Sequence, residues 1–276
     1  MTSKSLAVLG QTTRIQLRRL SKTWAARLTD LLMPSAIAFV PIILGRAIAG
    51  DEAGAYFTTY ADTPNFAGFL LIGGGAFLLV TRALWGFGHW LRQEMQAGTL
   101  ESLYLTPASM ATILAGVALA FMLYSAVFFI GAMVVGALLF QVVFQTGNLP
   151  LALLFLFVGL PPLYGLALLY GALVLRLKET DAFLQIAQWL ATLLIGIYFP
   201  ITLLPVALRI AGYLFAPTWL TQGLRSSLLG MPYFTGSGWT DLIVLTVFSV
   251  VVPLIAYWIF MKTEKALRSG SGLGGF

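Results

Sequence analysis

SLYLTPASMATILAGVALAFMLYSAVFFIGAMVVGALLFQVVFQTGNLPLALLFLFVGLPPLYGLALLYGALVL, residues 102–175, runs from end to end without an Asp, Glu, Lys or Arg. A helix needs about 20 apolar residues to cross a bilayer, so this stretch holds two crossings and a tight connection. Gln145-Thr146-Gly147-Asn148 is the polar turn between them. The rest of the chain agrees: 59% of the 276 residues are hydrophobic and only 9% are charged, with a mean hydropathy of +0.91. Soluble domains carry about 25% charged residues, so this chain has too few to clothe a solvated surface. Apolar blocks, in place of short alternating strands, exclude a β-barrel. The fold class expected is an all-α polytopic membrane protein.

Upstream, residues 13–31 read as one amphipathic helix. Leu17, Leu20, Trp24, Leu28 and Leu31 share a face, and Arg14, Arg18 and Lys22 form a cationic stripe elsewhere on the cylinder. Such a helix lies in the membrane interface, within a cytoplasmic N-terminal region covering residues 1–30. The first crossing is expected over 31–49, with Pro34 and Pro41 inside it. Ala47-Ile48-Ala49 resembles a signal-peptide cleavage site, but the charged region before it is too long for one. Asp51, Glu52 and Asp62 mark an acidic outer loop, and the second crossing covers 65–87. Gly73-Gly74-Gly75 within it is a packing or bending site; no Lys-Ser/Thr follows to make a phosphate loop.

Downstream, the third crossing covers 107–140, with Thr106 as N-cap and Pro107 at the first helical position. The fourth covers 150–175, interrupted at Pro161-Pro162, and leads into an inner loop with Arg176, Lys178, Glu179 and Asp181. The fifth is expected over 182–199. Residues 203–216 are apolar but broken by Pro205 and Arg209, too short to cross, and read as an outer re-entrant segment. The sixth crossing covers 242–261, the membrane domain runs over 31–268, and the glycine-rich 269–276 is a flexible tail. Six crossings put both termini in the cytoplasm. Of the sixteen cationic residues, all but Arg46, Arg209 and Arg225 then lie on the inner side, as the positive-inside rule requires.

The chemistry is sparse. The chain has one histidine, no cysteine and ten acids, and all ten acids fall in expected loops, helix ends or one polar island. No carboxylate pair sits mid-membrane to relay protons. His89, beside Trp90, has no visible partner for general-base or metal chemistry. No nucleotide-binding motif occurs, and the basic residues are not gathered on a soluble domain to hold nucleic acid. An enzyme and a self-energised pump are both disfavoured. Transport driven from elsewhere, or passive conduction, remains.

The polar island, QEMQAGTLESLYLTPAS at residues 93–109, lies between the second and third crossings. Leu100, Leu103 and Tyr104 fall on one face by helical spacing, with Glu94 and Glu101 beside them. The island resembles the cytoplasmic segment of ABC-2 type exporter permeases, whose pattern E-x-x-x-G-T-L-E-x-L-x-x-T-P falls here on Glu94, Gly98, Thr99, Leu100, Glu101, Leu103, Thr106 and Pro107. A second stretch, residues 199–230, resembles the family's outer re-entrant hairpin and following loop, through Phe199, Pro200, Leu204, Pro205, Pro217, Thr218, Arg225 and Gly230. The N-terminal amphipathic helix resembles the family's elbow helix.

The resemblance implies a permease subunit of the cell membrane that dimerises, each copy seated on a separate ATP-binding subunit. ATP and Mg would be bound there, with no cofactor in this chain. The island would be the coupling helix, its apolar face docked on the ATPase and Glu94 and Glu101 meeting basic groups. The kept Gly-Thr-Leu-Glu pattern points to exporters of drugs, lipids or glycolipids over polysaccharide exporters. A channel or scaffold needing no ATP is the alternative from another class. For Arg46, Arg209 and Arg225 two roles stay open, contact with an anionic substrate head group or snorkelling to lipid phosphate, the second being preferred.

Overall fold

The computed structural model of the protein describes residues 3–22, 24–50, 53–98, 109–176 and 180–269. These residues form ten α-helices and one short 3-10 turn, with no strand among them. In chain order they are α1 (Ser3–Leu20), α2 (Trp24–Ala49), α3 (Ala53–Ala61), α4 (Phe66–Gln96), α5 (Met110–Phe140) and α6 (Leu149–Arg176). Then come α7 (Asp181–Ile195), α8 (Val206–Tyr213), α9 (Ala216–Leu229) and α10 (Gly238–Ser269). Five segments, within α2, α4, α5, α6 and α10, are long and apolar enough to cross a membrane.

Helix α4 is the hub. It packs against α2, α5, α6, α7 and α9, and most of its apolar side chains are buried. Its three consecutive glycines decide how closely three different partners approach. A Cβ on Gly73 would sit 2.7 Å from the Ile197 carbonyl, one on Gly74 2.9 Å from that of Pro34, and one on Gly75 2.6 Å from the Phe129 ring. Successive residues point about 100° apart, so one run of small residues serves three contacts. In lipid, such close packing takes over from the hydrophobic effect as the force between helices.

The outermost helices locate the bilayer. α10 exposes a stripe of Trp239, Ile243, Val247, Val250, Leu254 and Trp258. Its two tryptophans are separated by about 28 Å at 1.5 Å per residue, close to the roughly 30 Å of hydrocarbon, and tryptophan favours both interfaces. Lys262 lies one turn beyond, with its ammonium 5.1 Å from the Trp258 ring centroid. Arg176 shares a notch with Lys262, Arg92 pairs with Asp181, and Arg19 pairs with Glu94. These ends of α1, α4, α6 and α10 therefore gather on one side, the basic end of the bundle.

Several sequence expectations are corrected. The single amphipathic helix over 13–31 is two helices, because the chain turns at Ser21 and Lys22, with the Ser21 hydroxyl donating to the Arg18 carbonyl at 3.1 Å. Leu28 then falls on α2, where it is 50% exposed. The first crossing helix accordingly starts before residue 31, and the acidic loop contains a helix, α3. Asp51 and Glu52 lie outside the described residues. α5 begins at Met110, not Pro107, with Ser109 as its N-cap, accepting from the Thr112 N–H; the expected cap, Thr106, lies outside the described residues. Pro161 and Pro162 do not interrupt α6.

The fifth crossing expected over 182–199 is the largest departure. α7 ends at Ile195 because Gly196 adopts φ +66°, a left-handed stop. At fifteen residues it spans about 22 Å, short of the hydrocarbon thickness. After it, residues 201–203 make a 3-10 turn, α8 follows, and α9 climbs back between α4, α6 and α10. The break after α7 thus runs from Gly196 to Phe215, longer than the 203–216 expected for a re-entrant segment, and what the resemblance implied as a following loop is the buried helix α9. Residues 270–276, most of the expected tail, lie outside the described residues.

Candidate functional site

At the basic end α4 ends at Gln96, and a turn through Ala97 and Gly98 follows, the glycine with φ +65°. The Ala97 N–H still bonds to the Gln93 carbonyl at 2.9 Å, so helical pairing reaches the last residue before that glycine. Glu94 sits on the final turn with only 14% of its side chain exposed, accepting from Arg19 Nη1 of α1 at 3.1 Å. Thr99, Leu100, Glu101, Leu103, Tyr104, Thr106 and Pro107 lie outside the described residues. The described structure thus gives the two roots of the island, Glu94–Gly98 and Ser109, where α4 ends and α5 starts.

The root on α4 is anchored on two sides. Arg19 on α1 holds Glu94, while Arg92, half a turn away, reaches across to the start of α7. Arg92 donates from Nη1 and Nη2 to the two oxygens of Asp181, at 3.2 and 2.9 Å, and from Nη2 to Thr180 Oγ1 at 2.8 Å. The Thr180 hydroxyl, fully buried, also meets the Tyr170 hydroxyl of α6 at 2.9 Å. The hydrogen bond from Arg92 holds the Asp181 carboxyl below the usual carboxylate range. Behind this, α1 packs on α5, with the Thr13 hydroxyl donating to the Gly116 carbonyl at 3.1 Å.

Deeper in the bundle is a polar cluster that the sequence expectations missed. Asp30 is 1% exposed, not a helix-end acid, and forms an ion pair with Arg82 of α4. The Tyr124 hydroxyl of α5 donates to the other carboxylate oxygen at 3.0 Å. Close by, Trp85 Nε1 donates to Gln188 Oε1 at 2.9 Å, and Gln188 Nε2 to Thr81 Oγ1 at 3.1 Å, linking α4 to α7. The available signal was the pairing itself: Asp30 is the only acid in the first 50 residues, and Arg82 is the only Asp, Glu, Lys or Arg between Asp62 and Arg92. Each costs several kcal/mol to bury unpaired, so each needs the other.

The expected outer group separates into two environments. Arg225 on α9 is 2% exposed. Its Nη2 donates to the carbonyls of Phe69 and Ile197, both at 3.2 Å, and its guanidinium carbon lies 3.4 Å from the Phe69 ring centroid. That enclosure rules out snorkelling and contact at an open mouth for Arg225, whereas Arg46 is exposed and Arg209 half-buried. Pro217 opens α9 and is buried; Thr218 next to it donates to the Leu194 carbonyl at 3.1 Å. Phe199, Pro200 and Pro205 lie on the turns that redirect the chain after α7, with Pro200 and Pro205 flanking the 3-10 turn and α8.

Among the described residues no cluster of His, Asp or Glu has the composition of a metal site. His89 is exposed and lies at a steep angle to the Trp85 ring, centroid to centroid 5.6 Å. No family model matches this chain, and no curated protein matches it.

Proposed function

We propose that this chain is the membrane subunit of an ATP-driven exporter of the ABC-2 type, coupled through residues 98–107 to a separate ATP-binding subunit. The observation that carries the proposal is the placement of the Gly-Thr-Leu-Glu island: it joins the ends of α4 and α5 at the basic end of a membrane-embedded helical bundle. A basic end is cytoplasmic by the positive-inside rule, which is where ATP is. In this reading both termini are cytoplasmic, α7 serves as the fifth of six crossings despite its length, and the membrane is the cell membrane. Two copies of the chain pair and engage two ATP-binding subunits, which carry the ATP and Mg.

The anchored root gives the coupling a physical form. Leu100, Leu103 and Tyr104 dock on the ATPase, and Glu101 meets its basic groups. Glu94, already held by Arg19, stays with its own chain. Movement of the docked island is then passed to α4 directly, and to α1 and α7 through Arg19 and Arg92. The cargo is an amphipathic or hydrophobic compound, a drug, lipid or glycolipid, consistent with a bundle whose described cavities are lined mainly by apolar side chains. Purification of the tagged chain from its native membrane, followed by photolabelling with azido-ATP, tests this. A labelled companion polypeptide is expected; its absence from an intact, folded preparation contradicts the coupling and favours a passive channel or scaffold.

A further inference from the structure

A groove of about 690 Å³ lies between α1, the first turn of α2 and one side of α5. Its floor is apolar, formed by Leu119, Leu123 and Val127 of α5, while Arg14, Arg18 and Arg27 stand around it. Among the described residues none of these three arginines makes an ion pair. The nearby acids are committed elsewhere, Asp30 to Arg82 and Tyr124, and Glu94 to Arg19. The Nε of Arg27 is buried and has no hydrogen-bond partner. A guanidinium N–H left without an acceptor in a buried position is costly, and an anion with several oxygens would supply what is missing.

Depth and shape identify the anion. Arg27 begins the apolar length of α2, so it stands at the level where lipid phosphates lie. Leu123 and Val127, respectively 41% and 66% exposed, continue the floor along α5 into the apolar band. A soluble anion would leave that floor uncovered, whereas an acyl chain would cover it. We propose that the groove holds one anionic phospholipid of the surrounding bilayer, its phosphate among Arg14, Arg18 and Arg27 and a chain along Leu119, Leu123 and Val127. The lipid would bridge α1 to α5, beside the helix that holds Glu94. The site stands or falls independently of any ATP-binding partner.

Native mass spectrometry of the delipidated full-length chain tests it, titrated with phosphatidylglycerol, with phosphatidylcholine of the same acyl chains, and with glycerol 3-phosphate. Phosphatidylglycerol is expected to bind at least tenfold more tightly than phosphatidylcholine, and glycerol 3-phosphate to show no comparable retention. Arg14→Gln and Arg18→Gln, on the exposed side of α1, are each expected to weaken phosphatidylglycerol about fivefold. Arg27→Gln should do at least as much and Arg27→Lys less, while Arg46→Gln at the opposite end leaves binding unchanged. Equal binding of the two lipids, glycerol 3-phosphate binding as well as the intact lipid, or unchanged binding by Arg14→Gln and Arg18→Gln together would overturn the proposal.

Discussion

Arg92 of α4 grips Asp181 at the start of α7 with both prongs of its guanidinium, at 2.9 and 3.2 Å. The same side chain holds Thr180, so the end of α4 and the start of α7 are fastened together beside the root of the polar island. Two-pronged arginine–carboxylate bonds fix orientation as well as distance. The Asp181 side chain is 59% exposed, which limits what the bond adds to stability but not what it does for geometry.

The bond has a pH signature. A carboxyl whose folded pKa is depressed adds stability that is present above its unfolded pKa, about 3.9, and lost as pH falls through the folded value. Asp181→Asn is therefore expected to unfold slightly earlier than the parent at pH 7 in detergent, by about 0.5 kcal/mol given the exposure. Thermal unfolding measured down the pH scale should show the two proteins converging below about pH 3.9. A difference that persists unchanged at low pH would mean that Asp181 acts other than through its charge.

Asp30 and Arg82 form the costliest pair to break. Asp30→Asn strands a guanidinium in the bundle and is expected to destabilise by about 3–5 kcal/mol. Adding Arg82→Gln should return part of the loss, because the stranded charge is gone. Tyr124→Phe removes one hydrogen bond to the carboxylate and should cost about 1.5–3 kcal/mol. Unfolding of the single and double variants in detergent gives the coupling; strictly additive losses would contradict the pairing.

Arg225 is expected to behave as a structural residue. Arg225→Ala leaves the carbonyls of Phe69 and Ile197 without their donor and a gap above the Phe69 ring, at an expected cost of about 2–4 kcal/mol. Arg225→Lys keeps the charge but not the planar contact, and should fall between. The check is thermal stability alongside the transport of anionic and neutral compounds. A loss confined to anionic cargo, with stability intact, would return Arg225 to substrate contact.

Gly74→Val probes the α2–α4 contact. Its Cβ would press on the Pro34 carbonyl at 2.9 Å, and backbone does not yield as a flexible side chain does. A loss of at least 1–3 kcal/mol is expected, as for overpacking elsewhere. Gly147→Ala, where nothing lies within 4 Å, should be near neutral. Equal unfolding of the two variants would contradict close packing at Gly74.

The helical membrane class was legible because lipid tolerates few charges, and the charge-free run of residues 102–175 leaves no other reading. Positions where the chain turns inside the apolar zone were harder. Gly196 stands in the apolar stretch LLIGIYF like any packing glycine, and only its left-handed backbone ends α7. α9 falls where the resemblance implied a loop, and TWLTQGLRSSLL is polar for a buried helix, yet its polar groups are satisfied locally. Thr221 donates to the Pro217 carbonyl at 2.8 Å, Ser226 to that of Pro232 at 3.0 Å, and Ser227 meets the Tyr233 hydroxyl at 3.1 Å. Of the island, residue types and spacing gave the motif, while Arg19 and Arg92 as its anchors depend on contacts between distant segments that no local pattern carries.

The central claim is that residues 98–107 seat this chain on an ATP-binding subunit. The most direct measurement compares azido-ATP labelling of polypeptides that co-purify with the wild-type chain and with a Leu100→Asp/Glu101→Lys variant, both shown to be folded. A labelled companion retained by the wild type and lost from the variant is expected. A companion retained equally by both, or none with either, would contradict the claim.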